Sequence, residues 1–263
     1  MRRPSVAFVF VACSLGYSGF DHSFIGYCSL IRAQEVKIEA VRITATEPAA
    51  IVSGTKTTLK VRGFKLSEST DFRFPKATEA KGEIKEKKLA GPPKGLESKL
   101  VGDTQLLVEI SIPANHPAGT LEYVLSTPAG DATGKLRVLA SDTSIDEIEP
   151  NDGFREAQEL PPNQFARGAI QGDKDVDVYA FLAKAGQQLK VTVTSGGPSI
   201  MDAALHCYDA RGQFLAAADD GESRDPVLTL KSPADGFVYL CVSSAHDIGG
   251  EWNSYLLTVE EVK

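Results

Sequence analysis

From about residue 36 onward, apolar side chains recur at every second position, and that period of two constrains the fold more than any other feature of the chain. Successive side chains of an extended strand point to opposite faces, so alternation buries one face and wets the other. A helix would need apolar residues three and four apart. Leu106, Val108 and Ile110 alternate in this way. Strands are predicted over residues 36–46, 57–63, 70–74, 104–111, 120–126 and 135–139, each rich in Val, Ile, Leu or Thr and bounded by Gly, Pro, Asn or Asp. The Lys- and Glu-rich stretch 76–99, broken by Gly91-Pro92-Pro93, holds one edge strand at 83–88 and is otherwise a solvated loop. Further strands are predicted at 168–171, 176–183, 187–194, 203–209, 213–217, 226–230, 236–243 and 254–260, separated by turns such as Ala210-Arg211-Gly212 and Asp219-Asp220-Gly221. A short helical turn at 153–160, capped by Asn151 or Asp152, is the one helical expectation. The chain therefore reads as all-β, with two β-sandwich domains at 34–140 and 153–263 joined by an acidic linker at 141–152.

Charge is spread unevenly over these segments. Residues 1–33 carry +2, residues 34–140 carry +3 and residues 141–263 carry -12, which together make the net -7. An acidic C-terminal half argues against nucleic acid as a partner and is compatible with cation binding.

The N-terminus has the order of a signal peptide. Arg2 and Arg3 precede an apolar run from Ser5 to Leu15, and a second apolar patch, Phe24 to Ile31, ends at Arg32-Ala33-Gln34. Cleavage after Ala33 makes residues 1–33 a leader and predicts an exported protein, periplasmic, secreted or at the cell surface. Asp21 and His22 interrupt the roughly twenty apolar residues that a spanning helix needs, so no membrane span is expected in the mature chain. Cleavage after Ala33 removes Cys13 and Cys28 with the leader, and the alternative is a lipid anchor at Cys13, after Phe10-Val11-Ala12 and a short apolar core. Of the remaining pair, Cys207 is predicted to point into the sandwich and Cys241, which alternates with Leu240 and Val242, to point outward, and that opposition argues against a disulfide.

Glu147, Glu149, Asn151 and Asp152, followed by Asp173, Asp175 and Asp177, place six carboxylates and one amide oxygen in two short segments. Calcium takes about six to eight oxygen ligands, mostly carboxylate and carbonyl. On extended backbone, Glu147, Glu149 and Asn151 share one side, with Asp152 at the bend, and Asp173, Asp175 and Asp177 share another. If the first segment folds back on the second, both sets converge on one ion. Without an ion, so many carboxylates would repel one another. The alternative is a set of solvated turn and cap residues. An EF-hand at 173–184 is excluded, because its sixth position is Val178 and its twelfth is Lys184.

The C-terminal half carries, in order, Glu149-Pro-Asn-Asp152, Gly168-Ala-Ile, Asp175-Val-Asp-Val-Tyr-Ala-Phe181, Lys184-Ala-Gly-Gln187, Tyr208-Asp-Ala-Arg-Gly212, Ser232-Pro-Ala-Asp-Gly-Phe-Val-Tyr239 and Tyr255-Leu-Leu-Thr-Val259. Over residues 147–263 this resembles the bacterial pre-peptidase C-terminal domain. The resemblance implies a jelly-roll-like sandwich appended to exported proteins, with a non-catalytic binding or targeting role. It also implies a calcium site, since the collagen-binding relatives hold calcium through a Glu-x-Glu-x-Asn-Asp linker and aspartates before the next strand. Residues 36–140 resemble an immunoglobulin-like IPT/TIG domain, through Pro48, Ser53-Gly54, Thr58-Leu-Lys-Val-Arg-Gly-Phe64, Ile112-Pro113, Pro117-Ala-Gly-Thr120 and Thr127-Pro-Ala-Gly130.

No catalytic constellation stands out. His116, His206 and His246 lack zinc spacing, and Ser195-Gly196-Gly197 is not a nucleophile elbow. Trp252 either plugs one end of the sandwich or stacks on a ligand, and the plug is favoured. The expected function is an exported, non-catalytic binding or adhesion protein for an extracellular protein or polysaccharide. The alternative is an accessory subunit or inhibitor of a secreted peptidase system, and an unrecognised hydrolase ranks last. Nothing in the sequence specifies an oligomeric state.

Overall fold

Residues 40–197, 200–221 and 224–262 are described by a computed structural model. The predicted signal peptide lies outside them. The described residues fall in one compact unit, Glu39–Lys263. In chain order its elements are β1 (Arg42–Glu47), β2 (Ala50–Val52), β3 (Lys56–Phe64), β4 (Asp71–Arg73), β5 (Lys81–Leu89), α1 (Ser98–Val101), β6 (Thr104–Ser111), β7 (Gly119–Thr127), β8 (Gly130–Leu139) and β9 (Ser144–Asp146). There follow β10 (Gln158–Glu159), β11 (Phe165–Ala169), β12 (Val176–Ala183), β13 (Gln188–Ser195), β14 (Ala203–Tyr208), β15 (Phe214–Ala218), β16 (Val227–Lys231), β17 (Gly236–Ser244) and β18 (Ser254–Glu261). The all-β expectation is met.

The strands form four sheets, ordered β1-β3-β6-β5, β2-β8-β7-β4, β10-β12-β17-β14-β15 and β16-β13-β18-β11-β9. The first two close on Leu59, Val61, Leu106, Val108, Tyr123, Leu136 and neighbours, giving an N-terminal sandwich. The other two close on Tyr179, Phe181, Leu189, Val191, Leu205, Leu240, Tyr255 and neighbours, giving a C-terminal sandwich. The alternating residues seen in the sequence are the ones that meet in these cores.

The acidic stretch before the C-terminal sandwich differs from a free linker. Residues 144–146 are β9, paired in parallel with β11, and the Glu147 N–H donates to the Arg167 carbonyl at 2.9 Å. An edge strand of three residues needs no apolar run, which is why periodicity did not signal it. Of the helical turn expected at 153–160, only a single turn is present, in which the Glu156 N–H donates to the Gly153 carbonyl at 3.1 Å. The rest of the segment finds partners in the sheet: β10 pairs in parallel with β12, and the Leu160 N–H donates to the Ala180 carbonyl at 3.0 Å.

Cys207 and Cys241 are both free and both buried, at 0% and 8% exposed. They do face opposite sides of their sheet, since Cys207 pairs in register with the core residue Leu240 while Cys241 pairs with His206. The surface position expected for Cys241 is corrected: it lies on the outer face but at the floor of a groove lined by Phe154, Val178 and His206. Burial pushes both thiols up to about 12.

The two sandwiches meet along a seam built by close backbone approach. The Thr46 N–H donates to the Gly196 carbonyl at 2.8 Å, and the Ala49 N–H to Ser254 Oγ at 2.9 Å. A Cβ on Gly196 would lie 2.1 Å from the Thr46 carbonyl oxygen, and one on Gly197 would lie 2.4 Å from Ala45 Cβ. The Gly196-Gly197 pair is thus a place where only glycine lets β1 approach. Trp252, 3% exposed, fills the same seam, with Arg62 Cζ and Lys60 Nζ over its ring at 5.8 and 5.9 Å. Arg62 is itself buried, and its guanidinium donates to the carbonyls of Val101, Ala90, Gly91 and Gly102. Trp252 is therefore a plug, and it closes the joint against the neighbouring sandwich.

Candidate metal centre

The strand β9 runs out along the edge of its sheet and delivers Glu147, Glu149 and Asn151 beside the start of β12. One ligand-type oxygen from each of Glu147, Glu149 and Asp177 lies within 4.8 Å of the others. Alternation explains the set: Glu147 and Glu149 share one side of an extended segment, and Asp177 points inward from a strand whose core face continues with Tyr179 and Phe181. Asn151 anchors the far end. It is fully buried, its N–H donates to Glu149 Oε2 at 3.0 Å, and its carbonyl accepts from the Val178 N–H at 2.9 Å.

Burial decides the electrostatics. Asp177 is 0% exposed, and desolvation pushes its carboxyl up to about 8, with the nearby Glu147, Asp175 and Glu149 adding repulsion. Glu147 is pushed up to about 7, again by desolvation first and by Glu149 and Asp175 after it. Hydrogen bonds hold one oxygen of each in place. The Ala169 N–H donates to Glu147 Oε2 at 2.6 Å, and the Tyr255 hydroxyl donates to Asp177 Oδ2 at 2.5 Å, with the Tyr179 hydroxyl 2.9 Å behind it. The second oxygen of each carboxylate, Glu147 Oε1 and Asp177 Oδ1, is buried without a protein partner, as are both side-chain polar atoms of Asn151.

Buried oxygens of this kind cost about 1–3 kcal/mol each unless something satisfies them. Two carboxylates and an amide that present unpartnered oxygens, next to a third carboxylate, fit a hard, oxygen-seeking cation such as calcium. Glu147, Glu149, Asn151 and Asp177 would hold it, and the ion would supply charge neutralisation and cross-linking of the two segments.

Of the seven residues singled out from sequence, these four come together. Asp175 stands beside them as a source of repulsion, its Oδ2 accepting from the N–H groups of Gln171 and Gly172 at 2.6 and 3.3 Å. Asp173 does not join them. Lys174, at φ 64, breaks the alternation, and the Asp173 carboxylate turns to an ion pair with Lys94 that holds it below the usual carboxylate range. Asp152 is exposed, because it follows buried Asn151 and points to the opposite side. Sequence reasoning missed the supports. Gln158 clamps the segment by accepting from the Ile148 N–H at 2.9 Å and donating to the Asp146 carbonyl at 2.8 Å. Gly168 leaves room for the site, since a Cβ there would sit 2.4 Å from the Tyr255 hydroxyl and 2.7 Å from Glu147 Oε2.

The histidines sit elsewhere. His116 lies 3.3 Å from Glu79, and His246 lies 3.3 Å from Asp202. Ser195 donates to Asp225 Oδ1 at 2.6 Å.

Fold and site together define an all-β protein of β-sandwich architecture. Its C-terminal sandwich resembles the pre-peptidase C-terminal domain. No family model matches the chain. A probable subtilase-type serine protease from Deinococcus radiodurans is 36% identical over 128 residues, a match that covers 47% of this chain and 17% of the relative. The chain thus spans about a sixth of that protein's length. Among solved structures, the pre-peptidase C-terminal domain of a collagenase from Bacillus anthracis is 16% identical, with a TM-score of 0.35, and aligns over 43% of this chain and 100% of its own. A protein of a Bacteroides ovatus mixed-linkage glucan utilization locus, solved with a mixed-linkage heptasaccharide, is 11% identical, with a TM-score of 0.25, over 81% of this chain and 71% of its own. Among the described residues, no helix is long and apolar enough to cross a membrane.

Proposed function

We propose that this chain is an exported, non-catalytic binding protein whose C-terminal sandwich is stiffened by one calcium ion. The observation that carries the metal is the convergence of Glu147, Glu149 and Asp177 with three buried oxygens that have no protein partner, on Glu147, Asn151 and Asp177. The ion would tie the segment that enters the sandwich to the first long strand of its sheet, and its work would be mechanical. The order of basic and apolar residues at the N-terminus supports export, as does likeness to part of a subtilase-type protease. A binding role is supported by the resemblance of the C-terminal half and by the absence from the sequence of a recognisable catalytic constellation.

Titration of the metal-stripped chain with calcium, read by calorimetry and by terbium luminescence sensitised through Tyr255, tests the site. Saturable one-to-one binding that Glu149→Gln weakens at least tenfold is expected. A chain that takes up no calcium at millimolar concentration overturns the metal assignment.

A further inference from the structure

The outer face of the β10-β12-β17-β14-β15 sheet is unusual for a surface. Tyr239 on β17 pairs in register with Tyr208 on β14, which pairs with Phe214 on β15, so one row of rings runs across three strands. Phe154, from the loop after the candidate metal centre, stacks on Tyr239 at 4.6 Å with 20° between the planes and reaches Tyr208 at 5.3 Å. Phe237, two residues before Tyr239 on the same strand, lies beside the row at 6.5 Å from Tyr239, and Leu182 pairs with it on β12. These side chains are not hidden: Phe154 is 40% exposed, Phe214 60%, Phe237 37% and Leu182 57%. Beside Phe154 a groove of about 440 Å³ is floored by Val176, Val178 and Tyr208.

Exposed rings in a contiguous row mark a contact surface. Its size and charge indicate the kind of partner. With aromatic side chains offering roughly 200 Å² each, the exposed parts of the three phenylalanines amount to on the order of 300 Å². A stable protein interface needs about 800 Å² per partner, so these rings alone supply well under half of what a second copy of this chain would need. The rings themselves carry no charge, Arg211 and Asp209 at the turn beside them are paired with each other at 3.4 Å, and Asp152 lines the groove next to Phe154. A strip of exposed, uncharged rings suits a narrow ligand with repeated apolar faces. The C–H faces of successive pyranose units are such a ligand, and their hydroxyls stay in water at the edges.

We infer that this face binds a linear neutral glycan laid across its exposed rings, Phe237, Phe154 and Phe214, with Tyr239 and Tyr208 supporting Phe154 from below. The inference rests on the proposal that the chain is a binding protein, and it does not require the metal. Affinity electrophoresis of the full chain in native gels containing hydroxyethylcellulose, arabinoxylan or galactomannan tests it. Retardation in at least one gel is expected, weakened roughly fivefold to tenfold by Phe214→Ala and by Phe237→Ala. Leu89→Ala, on the other sandwich, should leave retardation unchanged. Melting curves establish that each variant is folded, and both phenylalanines are exposed enough to be replaced without loss of core. Free migration of the parent chain in all three gels overturns the inference. So does retardation that both variants retain. Binding to gelatin that Phe214→Ala abolishes would assign the face to a protein partner, and a dimer in sedimentation that the same change dissolves would assign it to self-association. Either result also overturns it. Absence of calcium binding would leave every one of these outcomes readable.

Discussion

On the β5–β6 ladder of the N-terminal sandwich, Glu109 faces Lys56 at 2.9 Å and Lys85 at 3.6 Å, and Lys85 also holds Glu83 at 2.7 Å. In the C-terminal sandwich, Glu147, Glu149 and Asp177 converge with no basic side chain among the groups that shift them. The hydrogen bond from Lys56 holds Glu109 below the ordinary carboxylate range, while desolvation lifts Glu147 and Asp177 above it. The same residue types thus serve two purposes. Interleaved with lysine on a wet strand, they keep an edge soluble and contribute little to stability. Buried without lysine, they destabilise the charged fold unless they are protonated or, as proposed, met by a cation.

The sharpest way to break this contrast is to supply the cation. Calcium at a hundredfold excess over its dissociation constant stabilises the native state by about 2.7 kcal/mol. For a unit of this length that raises the melting temperature by roughly 5–10 °C. Scanning calorimetry with calcium and with a chelator measures the difference, and coincident traces would remove the contrast. Next in size is Asp177→Asn. This change keeps the shape and the hydrogen bond from Tyr255 but deletes a buried charge. The metal-free protein should melt at the same temperature or higher, and the calcium increment should vanish. An increment that survives would place the ion elsewhere.

Acidity gives a third, smaller effect with a definite sign. Glu147 and Asp177 bind their protons more tightly in the folded state, so metal-free stability is fully present below the unfolded carboxylate values near 4. It falls as pH rises and levels off above the folded values of about 7 and 8. Saturating calcium should flatten or reverse that slope, because the ion competes with the protons. Melting curves from pH 5 to about 8.5, with and without calcium, check both halves. The smallest effect is on the other side of the comparison. Lys56→Ala, at an exposed pair, should leave the melting temperature unchanged within error at all of these pH values.

Much of this was legible from alternation alone. The long strands follow the period of two, and β5 was visible as a Lys/Glu edge because a half-wet strand keeps its polar face in the sequence. What escaped was set by partners far along the chain. β2 is three residues, too short to show a period, and β9 exists because β11 offers it a parallel edge. In the candidate site, residue type and spacing sufficed for Glu147, Glu149, Asn151 and Asp177. They failed for Asp173, where one left-handed residue, Lys174, turns the side chain away, a backbone choice that composition does not reveal. Gly196-Gly197, a loop by sequence, is a contact between sandwiches that only the assembled fold explains.

The lone tryptophan of the chain lies in the seam, buried against two cationic side chains that come from the opposite sandwich. The protein therefore carries its own optical gauge of the joint. Emission from Trp252 reports whether the two halves remain in register, while the tyrosines of the cores report whether each half remains folded. Parting of the halves and melting of either one are separable events in the same cuvette.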